Sequence, residues 1–234
     1  MPQKAAGSVV LSDIPAGRYD EHIDQMLVGM RSFAGPVVCR WGHEANGNWY
    51  PWAAASASGE AAGTTPDHYV RAWRYIVARE RGMRGESNIR WFWCPNGTDI
   101  RSSTGALYTI EDYWPGRKWV DIVGCDAFNE PLSWDSFDTI LKDPYTRIAA
   151  MSGKPFWVGE VGCHEPLPGQ RGTKGAWIEA MLESGSFPNM KAVCYFDFDA
   201  RSAGRADWRF ESSRSTFAEV GSLLSTVPGH TRQG

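Results

Sequence analysis

The chain has 234 residues, with 24 Lys and Arg against 27 Asp and Glu and a formal net charge of −3. No long run carries one sign, which argues against bulk nucleic-acid binding by charge. At 42% apolar and 22% charged residues, the composition is that of an ordinary globular domain and excludes a disordered chain or a coiled coil. No stretch approaches the roughly 18 uncharged apolar residues that span a bilayer, and Ser8-Val9-Val10-Leu11 runs straight toward Asp13. Neither a membrane partner nor an export signal is therefore expected from this sequence.

Apolar, β-branched or aromatic runs alternate with helical patterns, the signature of βα units around a parallel sheet. In chain order the expected elements are a strand at Val9–Ile14, a helix at Asp20–Arg31, a strand at Val37–Trp41, a helix at His68–Arg81 and a strand at Ile89–Cys94. They continue with a strand at Val120–Asp126, a helix at Trp134–Ala150, a strand at Phe156–Val161, a helix at Thr173–Glu183, a strand at Ala192–Phe198 and a helix at Ser213–Leu224. The second helix is the clearest: Tyr69, Trp73, Ile76 and Val77 form one stripe of a 3.6-residue period, started by Thr65-Pro66-Asp67 and ended by Gly82. No repeat, low-complexity segment or linker divides the chain, so a single domain over residues 1–234 is expected. Six units of about 36 residues each match the unit size of an eight-stranded barrel. The expected fold class is α/β, a (β/α)8 TIM barrel that is N-terminally incomplete, with about six βα units present.

In such folds the reactive groups gather where strands end. Glu44 follows Val37-Val38-Cys39-Arg40-Trp41-Gly42-His43, and Glu160 lies inside Phe156-Trp157-Val158-Gly159-Glu160-Val161. A glutamate in an apolar strand costs several kcal/mol unless paired or neutral, so both are candidates for chemistry. Two carboxyls about 5.5 Å apart serve a retaining glycosidase, one protonating the departing oxygen and the other attacking the anomeric carbon. The roughly 116 residues between them amount to three units of about 39, as placement on a fourth and a seventh barrel strand requires. Glu130, in Asn129-Glu130-Pro131, is a rival acid, but it lies a single unit before Glu160 and would share adjacent strands with it.

The 12 Trp, 8 Tyr and 10 Phe suit both core packing and the faces of sugar rings. Metal readings are weaker. His43-Glu44 has Gly47 where a His-Glu-x-x-His motif needs its second histidine, and His164-Glu165 reads as a solvated loop. The five cysteines, Cys39, Cys94, Cys125, Cys163 and Cys194, have no Cys-x-x-Cys spacing and are expected as small buried thiols. Asn96-Gly97-Thr98 has the form of a glycosylation sequon but ends a strand where the site is expected.

The segment Arg40-Trp41-Gly42-His43-Glu44-Ala45-Asn46-Gly47-Asn48-Trp49-Tyr50-Pro51-Trp52 resembles the acid/base motif of glycoside hydrolase family 26, and Gly159-Glu160-Val161-Gly162 resembles its nucleophile strand. Ala16-Gly17-Arg18-Tyr19-Asp20, Tyr113-Trp114-Pro115-Gly116 with Trp119–Asp126, and Tyr195-Phe196 with Asp207-Trp208-Arg209 extend the likeness nearly end to end. The resemblance implies an endo-acting retaining hydrolase of β-1,4-mannan. Its alternatives are a mixed-linkage β-glucanase, a β-1,3-xylanase or a non-catalytic carbohydrate-binding remnant. It makes Glu44 the acid/base and Glu160 the nucleophile, and needs no metal or organic cofactor. His43, Trp49, Trp93, Asn96, Phe128 and Trp208 would contact the β-linked polysaccharide or oligosaccharide, and Arg40 would help orient the pair. The family's tyrosine at the position of Phe128, whose hydroxyl would bond the nucleophile, is absent, which is expected to lower activity. The likeness begins at the family's third strand, so its first two strands are expected to be missing.

Overall fold

The computed structural model describes residues 10–226. Five parallel strands form one sheet in the order β1 (Val37–Cys39), β2 (Ile89–Trp93), β5 (Ile122–Asn129), β6 (Phe156–Cys163) and β7 (Met190–Tyr195). Val37 pairs with Ile89, Phe92 with Ile122, Val123 with Phe156 and Phe156 with Met190. Helices α1 (Asp20–Arg31), α3 (Pro66–Arg81), α4 (Phe137–Ser152), α5 (Lys174–Glu183) and α6 (Arg214–Thr226) alternate with these strands except between β2 and β5, where two 3₁₀ turns (Glu111–Tyr113 and Arg117–Trp119) stand in place of a helix. This is the incomplete TIM barrel expected. The short helix α2 (Ala57–Ala61) and the antiparallel hairpin β3 (Ile100–Arg101) and β4 (Leu107–Tyr108) are additions within its loops.

The expected first strand is corrected. Val9 lies outside the described residues, and Leu11–Asp13 is a single 3₁₀ turn. Leu11 and Ile14 are both buried while Ser12 is exposed, so the apolar residues recur every third position. That spacing fits a 3₁₀ turn and not the period of two that a strand needs.

Helix boundaries follow capping. In α3, Thr65 Oγ1 accepts from the His68 N–H at 3.3 Å and Pro66 occupies the first turn, a proline tolerated there because its missing N–H would be unpaired anyway. The stripe of Tyr69, Trp73, Ile76 and Val77 is buried. Helix α4 starts three residues later than expected because Ser136 is its cap, accepting from the Thr139 N–H at 3.2 Å, while Trp134 has φ 53° and so cannot belong to a right-handed helix. Gly153, at φ 62°, ends it.

Trp73, Trp91 and Trp93 are each 1% exposed and belong to the main core cluster. Trp73 Nε1 donates to the Trp119 carbonyl at 3.0 Å, meeting the need of a buried indole N–H for an acceptor. Of the cysteines, Cys94, Cys125 and Cys163 are buried as expected, Cys39 is half-buried, and Cys194 on β7 is exposed, against expectation.

Candidate active site

The C-terminal ends of β1, β2, β5, β6 and β7 open onto a cleft of about 1200 Å³, lined by both Glu44 and Glu160. Glu44 sits on the turn after β1. Its φ of 52° lies in the left-handed region that costs a non-glycine residue roughly 1–2 kcal/mol. Two main-chain bonds hold it there: its N–H donates to the Cys94 carbonyl at the end of β2, and its carbonyl accepts from the Gly47 N–H, both at 2.9 Å. Asn46 ties the same turn to the next loop. Its side chain donates to the carbonyls of Asn96 and Thr98 (3.0 and 3.1 Å) and accepts from the Asn96 N–H (2.8 Å).

The two glutamates live in different surroundings. Glu44 is 7% exposed, and burial raises its pKa. The Trp49 indole, donating to Glu44 Oε2 at 2.7 Å, pulls it down, while the nearby Glu160 charge adds to the rise. Glu160 is partly open to solvent and is hydrogen-bonded by Arg40 Nη2. Arg40 Nη1 meanwhile holds both oxygens of Asp126, at 2.8 and 2.9 Å. Burial disfavours the guanidinium charge, but Cys94, Asp126 and Glu160 around it raise its pKa above the ordinary value.

Asp126, with no exposed surface, was missed by sequence reasoning. Burial drives its carboxyl well above the usual carboxylate range and Arg40 opposes that shift. Cys94 Sγ donates to its Oδ1 at 3.1 Å. The signal was present: Asp126 interrupts the apolar run of β5 just as Glu160 interrupts that of β6. The two are register partners on adjacent parallel strands. Gly159 makes room for this cluster, since a Cβ there would stand 2.6 Å from both Asp126 Oδ1 and Cys94 Sγ, inside any allowed contact.

The other expected contact residues divide. Trp49, Asn96, Phe128 and Trp208 line the cleft with the two glutamates. Trp93 does not: it is buried against Trp114, ring centroids 4.8 Å apart, because residues alternate sides along β2 and this one faces the helices. His43 is also absent from the lining. Its Nε2 shares a 2.9 Å hydrogen bond with the Tyr50 hydroxyl, and its ring packs against both Tyr50 and Trp52, which stack on each other with centroids 4.4 Å apart. Burial, helped by the Arg40 charge, lowers its pKa to about 4, so the imidazole is neutral near pH 7. Tyr50 lines the cleft in its place.

Phe128 packs against Trp208 and Phe196, with centroids 5.0 and 5.5 Å apart, and Arg40 supplies a hydrogen bond to Glu160 that a phenylalanine cannot. Glu130, the rival acid, is exposed at the cleft mouth and paired with Arg205 at 3.2 Å. His164 is no solvated loop residue: it is 3% exposed, with Nδ1 on the Glu165 carbonyl and its ring edge-on to Trp134.

The strand ends of this barrel sheet thus bring two glutamates to one aromatic cleft. The glycosyl hydrolase family 26 model matches residues 16–165, and the chain belongs to that family. It is 29% identical over 214 residues to endoglucanase H of Acetivibrio thermocellus, covering 88% of this chain and 22% of that protein. Mannan endo-1,4-beta-mannosidase A and B of Caldalkalibacillus mannanilyticus is also 29% identical, over 156 residues, covering 65% of this chain and 27% of that one. Among solved structures, the catalytic domain of the Bacillus sp. JAMB-750 GH26 endo-beta-1,4-mannanase superposes with TM-score 0.59 at 20% identity, covering 91% of this chain and 60% of that one. The chain thus spans about a quarter of these curated relatives and somewhat less than two thirds of that solved structure.

Proposed function

We propose that this chain carries the catalytic cleft of an endo-acting, retaining glycoside hydrolase of β-1,4-mannan. The observation that supports this most is the pairing in one cleft of a desolvated Glu44, its pKa raised, with a Glu160 held by the Arg40–Asp126 pair. Glu44, protonated, donates to the departing glycosidic oxygen while Glu160 attacks the anomeric carbon and forms a glycosyl ester. Glu44, now a carboxylate, takes a proton from water, which releases the sugar with its configuration retained. Trp49, Tyr50 and Phe128 give the sugar faces apolar surface on which to stack, with the buried Trp208 packed behind Phe128.

The family likeness and the mannosidase relative favour mannan. The endoglucanase name of the relative matched over most of the chain favours a β-glucan as the second reading. Reducing-sugar release from β-mannan, lichenan and β-1,3-xylan tests these together. Preferential release from mannan, with the β-anomer appearing first by NMR, is expected. Preference for another glycan overturns the substrate, inversion overturns the mechanism, and saccharide binding without release leaves a non-catalytic carbohydrate-binding remnant.

A pH prediction follows from the Trp49 hydrogen bond. A general acid must be protonated, so kcat falls as pH rises through the Glu44 pKa. The indole N–H favours the carboxylate, so removing it raises that pKa further. In Trp49→Phe the descending limb of the kcat–pH profile is therefore expected at higher pH than in the parent. A limb that stays in place, or moves down, would remove Glu44 from the acid role.

A further inference from the structure

Lys174 opens α5 and has no exposed surface. Two costs oppose a lysine there. Its ammonium leaves water, and it stands in the first turn of a helix, where the macrodipole favours anions. Its contacts show what offsets them. Nζ donates to the Arg209 carbonyl at 2.7 Å, to Ser212 Oγ at 3.0 Å and to the Asp207 carbonyl at 3.3 Å, one acceptor for each of its three N–H groups. Ser212 passes the contact on, donating to Glu165 Oε1 at 2.7 Å, which also accepts from Thr216 Oγ1 at 2.7 Å. Glu165 lies two residues past the end of β6 and supplies the compensating negative charge.

Two of the three acceptors are the main-chain carbonyls on either side of Trp208. That indole is 1% exposed, lines the cleft and packs on Phe128. Its own N–H on the main chain bonds only as far as the Phe198 carbonyl, at 3.0 Å, which lies within the same loop. The Arg209–Asp207 pair, at 2.8 Å, is likewise local to it. Lys174 joins the backbone on either side of Trp208 to α5, while Arg205–Glu130 and Ser212–Glu165 tie other parts of the same loop to the segments after β5 and β6.

We propose that Lys174 is a positioning residue of the cleft: its ammonium ties the carbonyls flanking Trp208 to the start of α5 and, through Ser212 and Glu165, to the end of β6, setting the indole wall in register with the strand that carries Glu160. This rests on the reading of the cleft as a glycan site whose Phe128 wall is backed by Trp208. An apolar side chain of the same length would fill the space but hold neither carbonyl.

The test is ¹⁹F NMR of the full chain labelled with 5-fluorotryptophan, together with steady-state kinetics on mannooligosaccharides. Trp208→Phe and Trp93→Phe assign the cleft and core resonances. In Lys174→Met the Trp208 line is expected to shift and broaden while the Trp93 line stays, and KM is expected to rise about tenfold with kcat changed less than about threefold. Lys174→Arg, which keeps charged donors, is expected to leave the Trp208 line nearer its parent position. An unmoved Trp208 line, or both lines moving together as in general loosening, overturns the proposal. Should Lys174→Met fail to fold, Ser212→Ala removes one acceptor gently, and an unmoved Trp208 line in it is equally decisive. A parent chain that hydrolyses no glycan would defeat the functional reading, while the ¹⁹F result still decides the tether.

Discussion

Glu160→Ala and Glu44→Ala are each expected to lower turnover on β-mannan by at least about a hundredfold, but with different signatures. Without Glu160 no glycosyl ester forms, and the loss holds whatever the leaving group. Without Glu44 the departing oxygen goes unprotonated, so the loss shrinks on an aryl glycoside whose phenol leaves without help, and an added small anion such as azide can replace water as the second nucleophile. Steady-state rates on the polymer and on the aryl glycoside separate the two. Near-parent turnover in either variant, or identical leaving-group dependence in both, would break the assignment of roles. Burial of Glu44 against partial exposure of Glu160 is the physical reason to expect this division.

The largest expected effect on stability is that of Arg40→Met. Asp126 has no exposed surface, and both its oxygens bond to the Arg40 guanidinium. Removing one partner of a buried pair leaves an uncompensated charge, which typically costs about 3–5 kcal/mol. The sign of the pH dependence follows. The stranded Asp126 has a folded-state pKa raised above its unfolded value, so the folded chain takes up a proton there more readily. Arg40 opposes that rise in the parent, so the variant's extra deficit grows as pH rises from the parent's folded-state pKa toward the variant's higher one, and shrinks as pH falls back through that window. Adding Asp126→Asn is expected to restore most of the loss at pH 7, because a neutral amide carries no charge to strand. Urea unfolding of the parent, the single variant and the double variant at pH 7 and pH 4.5 measures all three statements. A single variant as stable as the parent, or a double variant no more stable than the single, would show that Arg40 does not compensate Asp126.

Much of this protein was legible before any coordinates. Helix α1 runs over the expected residues, and α3 and α5 start within two residues of expectation, because capping residues and apolar stripes are local signals. Glu44 and Glu160 stood out for a local reason too, as carboxylates in or just after apolar strands. Where the signal was ambiguous the reading failed. Leu11 and Ile14 are apolar and closely spaced, and only their burial on one side separates a 3₁₀ turn from a strand. Trp93 ends β2 and Trp49 lies in the loop after β1, yet one faces the core and the other the cleft. Which side of β2 is inside depends on the neighbouring strands, which composition does not report.

By itself, then, the sequence determined the βα alternation, the parallel sheet, the family and the two glutamates, since each is written in residue types at short range or at the spacing of one repeating unit. Tertiary structure alone decided that Asp126 joins the expected Arg40 in supporting Glu160, that Tyr50 rather than His43 faces the cleft, and that a buried lysine hydrogen-bonds the Trp208 loop. Those assignments depend on side chains tens of residues apart meeting within about 3 Å, with their charges balanced only where water is excluded.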